Sequence, residues 1–268
     1  MSLQKFQTAT AQKITQLIRA ELILPASEQQ PVDMFDLDSE DLPEPTSLSE
    51  LGDLFRVGGI PDETIVAPNA QGRWFLSTVD PAAAIAKLPG LAVAPGWCLV
   101  IYLYRQARAG MGATWAIPES FSTTAFLEAA LRDTSAEQIP RPEAAKPVME
   151  ALTGNFSVAS FLAASLLYRE IKEIGRFGKL AHWSRHRLIG AIPPNQPWQW
   201  RGKAPQDLAP KVRVLPDQPA AVEFFTCRLT PPVSLFRHVD QYAAGSYRLK
   251  STDQSIALIP PKLPSQRR

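Results

Sequence analysis

An α+β fold is what this sequence predicts: an N-terminal helix, a β-hairpin with packed helices, and a C-terminal antiparallel sheet that follows a Pro-rich loop. Three observations lead to it. Residues 3 to 21 place Leu3, Phe6, Ile14, Leu17 and Ile18 mostly along one face of a 3.6-residue period, with Lys5, Thr8, Gln12, Gln16 and Arg19 opposite. Gly96 to Pro118 contains two runs rich in aromatic and branched residues, WCLVIYLYRQ and ATWAIP. After Pro219 come AVEFFTCRL, VSLFRHV, SYRLK and SIALI, all of strand composition. A chain of 268 residues, 45% apolar and 20% charged, is long enough to bury a core unaided and too apolar for general disorder. Its 25 prolines imply many extended connections.

Taken in order, the amphipathic helix at 3 to 21 is followed by Glu28 to Asp53, which holds nine acidic residues and no basic one. Pro31, Pro43 and Pro45 interrupt any periodicity there, so this stretch reads as an exposed linker whose Met34, Phe35 and Leu37 remain available to dock. Ser47-x-x-Glu50 ahead of Leu51, Leu54 and Phe55 has the form of a capping box. In the hairpin, Gly110-Met111-Gly112 is the expected turn. Ser120 or Ser122 then caps a helix through Arg132 that buries Phe121, Phe126, Leu127 and Leu131.

A joint from Ile139 to Pro147 leads to the apolar run Phe156 to Tyr168, which continues as a helix to Gly175 or Gly178. That run has 13 residues, short of the about 20 needed to span a bilayer, so it reads as a buried helix. Seven prolines between Pro193 and Pro219 deny most of that segment regular structure. Asp253-Gln254 is placed to turn SYRLK into SIALI as a final hairpin. The division that follows is 1–55 (helix and acidic linker), 56–138 (α/β part with hairpin) and 139–268 (basic helical and C-terminal β part), with 56–268 as one domain if the joint is not a boundary.

Charge is uneven. Residues 1 to 134 carry 9 Lys/Arg against 16 Asp/Glu, and residues 135 to 268 carry 19 against 10. Opposed charges of this kind act through association, within the molecule or between molecules. Cys98 and Cys227 stand far apart with no C-x-x-C spacing, and the N-terminus lacks the apolar core of a secretory signal, so a reducing, cytoplasmic location is expected. No G-x-x-x-x-G-K-[ST], H-E-x-x-H or G-x-S-x-G occurs, and no cofactor is implied.

The feature with most functional content is the basic stretch from Arg169 to Lys203. Arg169, Lys172, Arg176, Lys179, Arg185, Arg187, Arg201 and Lys203 are interleaved with Trp183, Trp198 and Trp200 and opposed by only Glu170 and Glu173. Cations for phosphates and aromatic faces for unstacked bases are the ingredients of single-strand nucleic-acid binding. The same face equally suits an acidic protein, an anionic lipid surface or the acidic segment at 28–53. Trp198 and Trp200 also suit wedges that anchor the Pro-rich loop, and PPNQPWQW suits a groove-binding ligand. His182 and His186, at i,i+4, would share a helix face as a metal pair, but no nearby Cys, Asp or Glu completes a site. Cys227, His238 and Asp240 form the remaining catalytic trio to consider.

At IPPNQPWQWRGKAPQDLAP and FFTCRLTPPVSLFRHVDQY the Gln- and Pro-rich texture resembles that of uncharacterised proteins of cyanobacteria. The resemblance covers about the C-terminal third and transfers no active-site residue. It implies an accessory or assembly role, near the photosynthetic apparatus. The expectation for function is a non-catalytic interaction or assembly protein that uses oppositely charged surfaces toward an acidic partner. Nucleic-acid binding through 169–203 is the alternative, and a motif-free enzyme the second.

Overall fold

The computed structural model describes residues 2–29, 72–106, 109–132, 134, 138–214 and 219–260. The Ser47-x-x-Glu50 pattern, Met34, Phe35, Leu37 and most of the acidic stretch lie outside these residues. The protein is α+β, with two antiparallel sheets against a central helix.

Residues 2–5 do not begin a helix. They form β1 (Ser2–Lys5), antiparallel to β11 (Lys211–Val214), and α1 (Thr8–Glu21) starts afterwards. Ala11, Thr15, Ile18 and Leu22 make the buried side of α1, leaving Leu17 and Leu3 exposed, contrary to the single apolar face read from sequence. A short α2 (Ala26–Gln29) follows, and it corrects the linker reading at its start. Glu28 is 2% exposed and accepts hydrogen bonds from the Ser77 hydroxyl and from both the amide and the hydroxyl of Thr78.

The first sheet runs β2 (Trp74–Leu76), β4 (Trp97–Gln106), β5 (Ala109–Pro118), β6 (Lys146–Pro147), with β8 (Phe177–Gly178) also on β5. The expected hairpin is β4–β5, paired from Trp97↔Pro118 to Gln106↔Ala109. Gly110 and Gly112 are therefore inside β5 and do not make its turn. A side chain at Gly110 would collide with the Phe177 ring, and one at Gly112 with the Ile174 carbonyl. These glycines admit close packing. Between the strands, α3 (Pro81–Ala86) is capped by Asp80, which accepts from the Ala82 amide. A two-stranded ribbon pairs β3 (Leu91–Val93) with β7 (Leu152–Gly154). In α4 (Thr124–Arg132), Leu127 is buried whereas Phe126 is exposed. The Ser122 hydroxyl donates back to the Glu119 carbonyl rather than capping forward.

The apolar run becomes α5 (Val158–Glu173), capped where the Ser157 side chain accepts from the Ser160 amide and ended by Gly175 at φ +71°. Twelve of its 16 residues are buried, because it packs on α1 and on both sheets. The second sheet has the order β1-β11-β12-β13-β14-β10, where β12 is Ala221–Arg228, β13 Ser234–Tyr242, β14 Leu249–Leu258 and β10 Gln199–Trp200. β9 (His186–Leu188) joins β12 beyond the end of β11. The last two predicted strands are one. β14 runs straight through Asp253-Gln254, and Asp253 pairs with His238. One buried cluster takes residues from Ile18, Ile85, Ile101, Leu166 and Phe224, so α1, the first sheet, α5 and the second sheet share a core.

Candidate functional site

Alternation along a strand sends successive side chains to opposite faces. Across β12, β13 and β14 the inner face carries Phe224 and Thr226, then His238 and Asp240, then Ser251 and Asp253, opposite α5. Arg169 of α5 is 4% exposed and reaches into this set. Its Nη1 donates to Asp240 Oδ2 at 2.6 Å and its Nη2 to Asp240 Oδ1 at 3.0 Å, a bidentate pair. Nη2 also donates to Asp253 Oδ1 at 2.9 Å and to the Ser251 hydroxyl at 3.1 Å. The guanidinium carbon lies 4.6 Å from the centre of the Phe224 ring and 5.6 Å from that of Trp183.

From Asp253 a chain of hydrogen bonds leads sideways. His238 Nδ1 lies 2.6 Å from Asp253 Oδ1, His238 Nε2 lies 2.8 Å from Thr226 Oγ1, and Thr226 Oγ1 lies 2.8 Å from His186 Nδ1. The order of protons along it follows from the charge of Asp253 and the neutral state of the two imidazoles. Burial pushes the Asp253 carboxyl up, but the His238 hydrogen bond and the Arg169 charge outweigh it and hold it well below the usual range, so it only accepts. His238 therefore donates from Nδ1 and accepts at Nε2. Thr226 has one proton, which goes to His238, so its oxygen accepts from His186 Nδ1–H. The proton-free nitrogen of His186 is Nε2. Burial first, then the neighbouring His238, lowers the His186 pKa to about 3, and burial lowers that of His238, so both rings are neutral near pH 7.

The two acidic residues inside the basic stretch position this corner. Glu170 Oε1 accepts from Trp183 Nε1 at 2.7 Å, and both Glu170 oxygens accept from Arg19 Nε at 2.9–3.0 Å. Glu173 Oε1 accepts from the amides of His182 and Ser184, which holds the bend before β9.

The outer face of the same strands is different. Glu223, Phe225, Arg237, Gln254 and Ile256, with Arg201, Lys203, Asp207 and Lys211, line an open groove of about 580 Å³. Asp207 pairs with Lys5 at 2.8 Å and Lys211 at 3.5 Å, and Glu223 pairs with Arg237. Phe225 and Ile256 supply an apolar floor. Beside the groove, Trp198 and Trp200 pack on a cluster formed by Cys227, Leu235 and Ala257.

The residues singled out in sequence divide among several places. Arg201 and Lys203 are exposed on the groove. Arg169 and Trp183, expected on a solvated basic surface, are buried, because Asp240 and Asp253 hold the first and Glu170 the second. Lys172, Arg176 and Lys179 are exposed but line neither the groove nor the corner at His186, and Arg185 is half-buried, donating to the Gly178 carbonyl. Arg187 is exposed beside His186. Trp198 and Trp200 are half-buried, with Trp198 Nε1 donating to the Pro193 carbonyl at 3.1 Å.

The Cys227, His238, Asp240 trio is split by the pleat. Cys227 faces Leu235 and Ala257 on the outer side while both partners face inward, and burial raises its thiol pKa. Cys98, half-buried in β4, also has a raised pKa, first through burial. His182 and His186 share no helix: a 3₁₀ turn, Trp183–Arg185, separates them, and their rings stack at 5.2 Å. Among the described residues no group of three His, Cys, Asp or Glu is arranged to hold a metal ion, and no helix is long and apolar enough to cross a membrane. Thr226, Ser251 and Asp253 were missed. Their signal was a set of polar residues at alternate positions of buried strands. Compared with protein-family models, curated proteins and solved structures, the chain matches none.

Proposed function

We propose that the protein is a non-catalytic interaction protein that takes an acidic segment of a partner protein in the groove on the outer face of β12–β14. The observation that carries this reading is the arrangement of Arg201, Lys203, Lys211 and Arg237 around a floor of Phe225 and Ile256. Such a site offers charge for carboxylates and apolar area between them. The absence of an exposed thiol beside a histidine, with Cys227 and His238 on opposite faces, supports binding over thiolate catalysis. For nucleic acid, the cations remain but the stacking platforms are engaged, since Trp183 is buried and Trp198 and Trp200 pack on the sheet.

The test is fluorescence anisotropy with a labelled peptide of alternating glutamate and leucine, beside a labelled single-stranded oligonucleotide. Peptide binding that weakens with salt and is lost in the Arg201→Glu/Lys203→Glu double variant is the expected result. Oligonucleotide binding without peptide binding moves the reading to nucleic acid.

A further inference from the structure

Between α1 and β9 lies a cleft of about 380 Å³, lined by Gln12, Thr15, Arg19, Trp183, His186 and Arg187 among others. Two polar atoms of these residues, Thr15 Oγ1 and His186 Nε2, are sealed from solvent and have no hydrogen-bond partner among the described residues. Both side chains belong to residues more than nine-tenths buried, at 7% and 3% exposure. A buried polar atom left unpaired is costly, and native structures keep few of them. Two on the wall of one cleft point to something that completes it.

The hydrogen-bond chain from Asp253 through His238 and Thr226 says what kind of group that is. With both imidazoles neutral, the order of donors running out from the Asp253 carboxylate puts the His186 proton on Nδ1, so Nε2 presents a lone pair and can only accept. The complement is a hydroxyl or N–H donor. Charge supplies the second requirement. Arg19 uses Nε on Glu170, while its Nη groups make no hydrogen bond among the described residues. Among the described residues Arg187 uses only Nη1, on the carbonyls of Ser184 and His186. Glu170 offsets part of this charge from behind Arg19.

We propose that the α1–β9 cleft binds a small anion that also carries a hydroxyl or N–H group, its carboxylate or phosphate on Arg19 and Arg187 and its donor on His186 Nε2. The Thr15 hydroxyl donates to a ligand oxygen, and Trp183 supplies an apolar wall. Because Nε2 is sealed, its donor reaches it only as side chains of the cleft move aside, and Gln12, Gln16 and Arg187 are exposed there. The volume is at the lower end of that found for small-molecule sites. This site does not depend on the groove reading, since it is built from α1, β9 and the 3₁₀ turn.

The experiment is a titration of the full chain, labelled with ¹⁵N-histidine, by NMR. The probes are L-lactate and glycerol 3-phosphate, with 2-methoxypropionate and methyl phosphate as analogues that lack the donor. A hydroxyl-bearing probe should shift the His186 Nε2 resonance at millimolar concentration, and its analogue should bind about tenfold more weakly or not at all. Arg187→Ala, an exposed position, should weaken binding by a similar factor. Thr226→Val removes the hydroxyl that fixes the tautomer, so its His186 can carry a proton on Nε2 and the preference for hydroxyl over methoxy should shrink. Should that variant not fold, the Arg187→Ala comparison decides. A His186 signal that no probe moves, equal binding of hydroxyl and methoxy probes, or an Arg187→Ala variant that binds unchanged would overturn the proposal.

Discussion

Neighbouring residues of β12–β14 look in opposite directions, and the two faces they make differ in what charge does there. Arg237 and Glu223 on the outer face are an ion pair with side chains 47% and 24% exposed, in water that screens them. Arg169 and Asp240 on the inner face are 5% and 0% exposed and surrounded by aromatic rings. Outside, a pair of this kind contributes little to stability. Inside, neither charge tolerates loss of the other, and the pair fixes where α5 sits on the sheet. Chemically similar residues thus hold the fold on one face and stand in solvent on the other.

The largest expected contrast is between two alanine substitutions. Asp240→Ala leaves a buried guanidinium with only Asp253 to pair it, and should cost about 3–5 kcal/mol in urea unfolding. Glu223→Ala, on the outer face, should cost at most about 1 kcal/mol. Equal losses would remove the distinction between the faces.

Acid should act on the inner face next. His186 and His238 are held neutral in the folded protein with lowered pKa values, while unfolded histidine takes a proton near pH 6.5. Their contribution is complete above about pH 6.5 and is lost progressively as pH falls toward the folded value, about 3 for His186. Stability should fall by about 1 kcal/mol per pH unit between pH 6.5 and 5 from His186, with His238 adding a loss of the same sign. Urea midpoints that stay constant over that range would contradict the buried neutral chain. The carboxylate of Asp253, whose pKa is depressed, acts in a lower window: its contribution is present above about pH 4 and is lost below it.

Smaller effects sharpen the boundary. Asp253 is at once in the inner chain and 46% exposed, so Asp253→Ala should cost about 1–3 kcal/mol, between the two pairs. Arg201→Ala with Lys203→Ala should change stability by no more than about 0.5 kcal/mol while weakening an acidic ligand.

The parts legible in sequence were those written in local periodicity. The β4–β5 hairpin and α5 follow from aromatic and apolar runs, and Gly175 ends α5 as its position suggested. What stayed hidden required knowing a neighbour. Gly110 and Gly112 carry a turn's composition, yet they are strand residues because Phe177 and the Ile174 carbonyl occupy the space of their missing side chains. Asp253-Gln254 has the same ambiguity, resolved only by His238 and Arg169 standing ready to bind the carboxylate. The basic stretch was readable as charge but not as geography, since the buried or exposed fate of Arg169 and Arg201 depends on acids more than fifty positions away or on none. Of the cleft at α1, Trp183, His186 and Arg187 are visible in the sequence as a basic-aromatic run and a histidine pair, but the lone pair of His186 and the facing Thr15 and Arg19 of α1 are not, because they meet only in the fold.

One feature of the edge of the second sheet governs how the chain comes together in time. Leu3 meets Arg213 where β1 closes onto β11. During synthesis the ribosome releases the strand long before the partner that will complete it, and α1, whose inner side is covered by α5, is released early as well. Such distant pairings delay folding until most of the chain is present, which makes this architecture slow to assemble and dependent on protection of its early segments meanwhile.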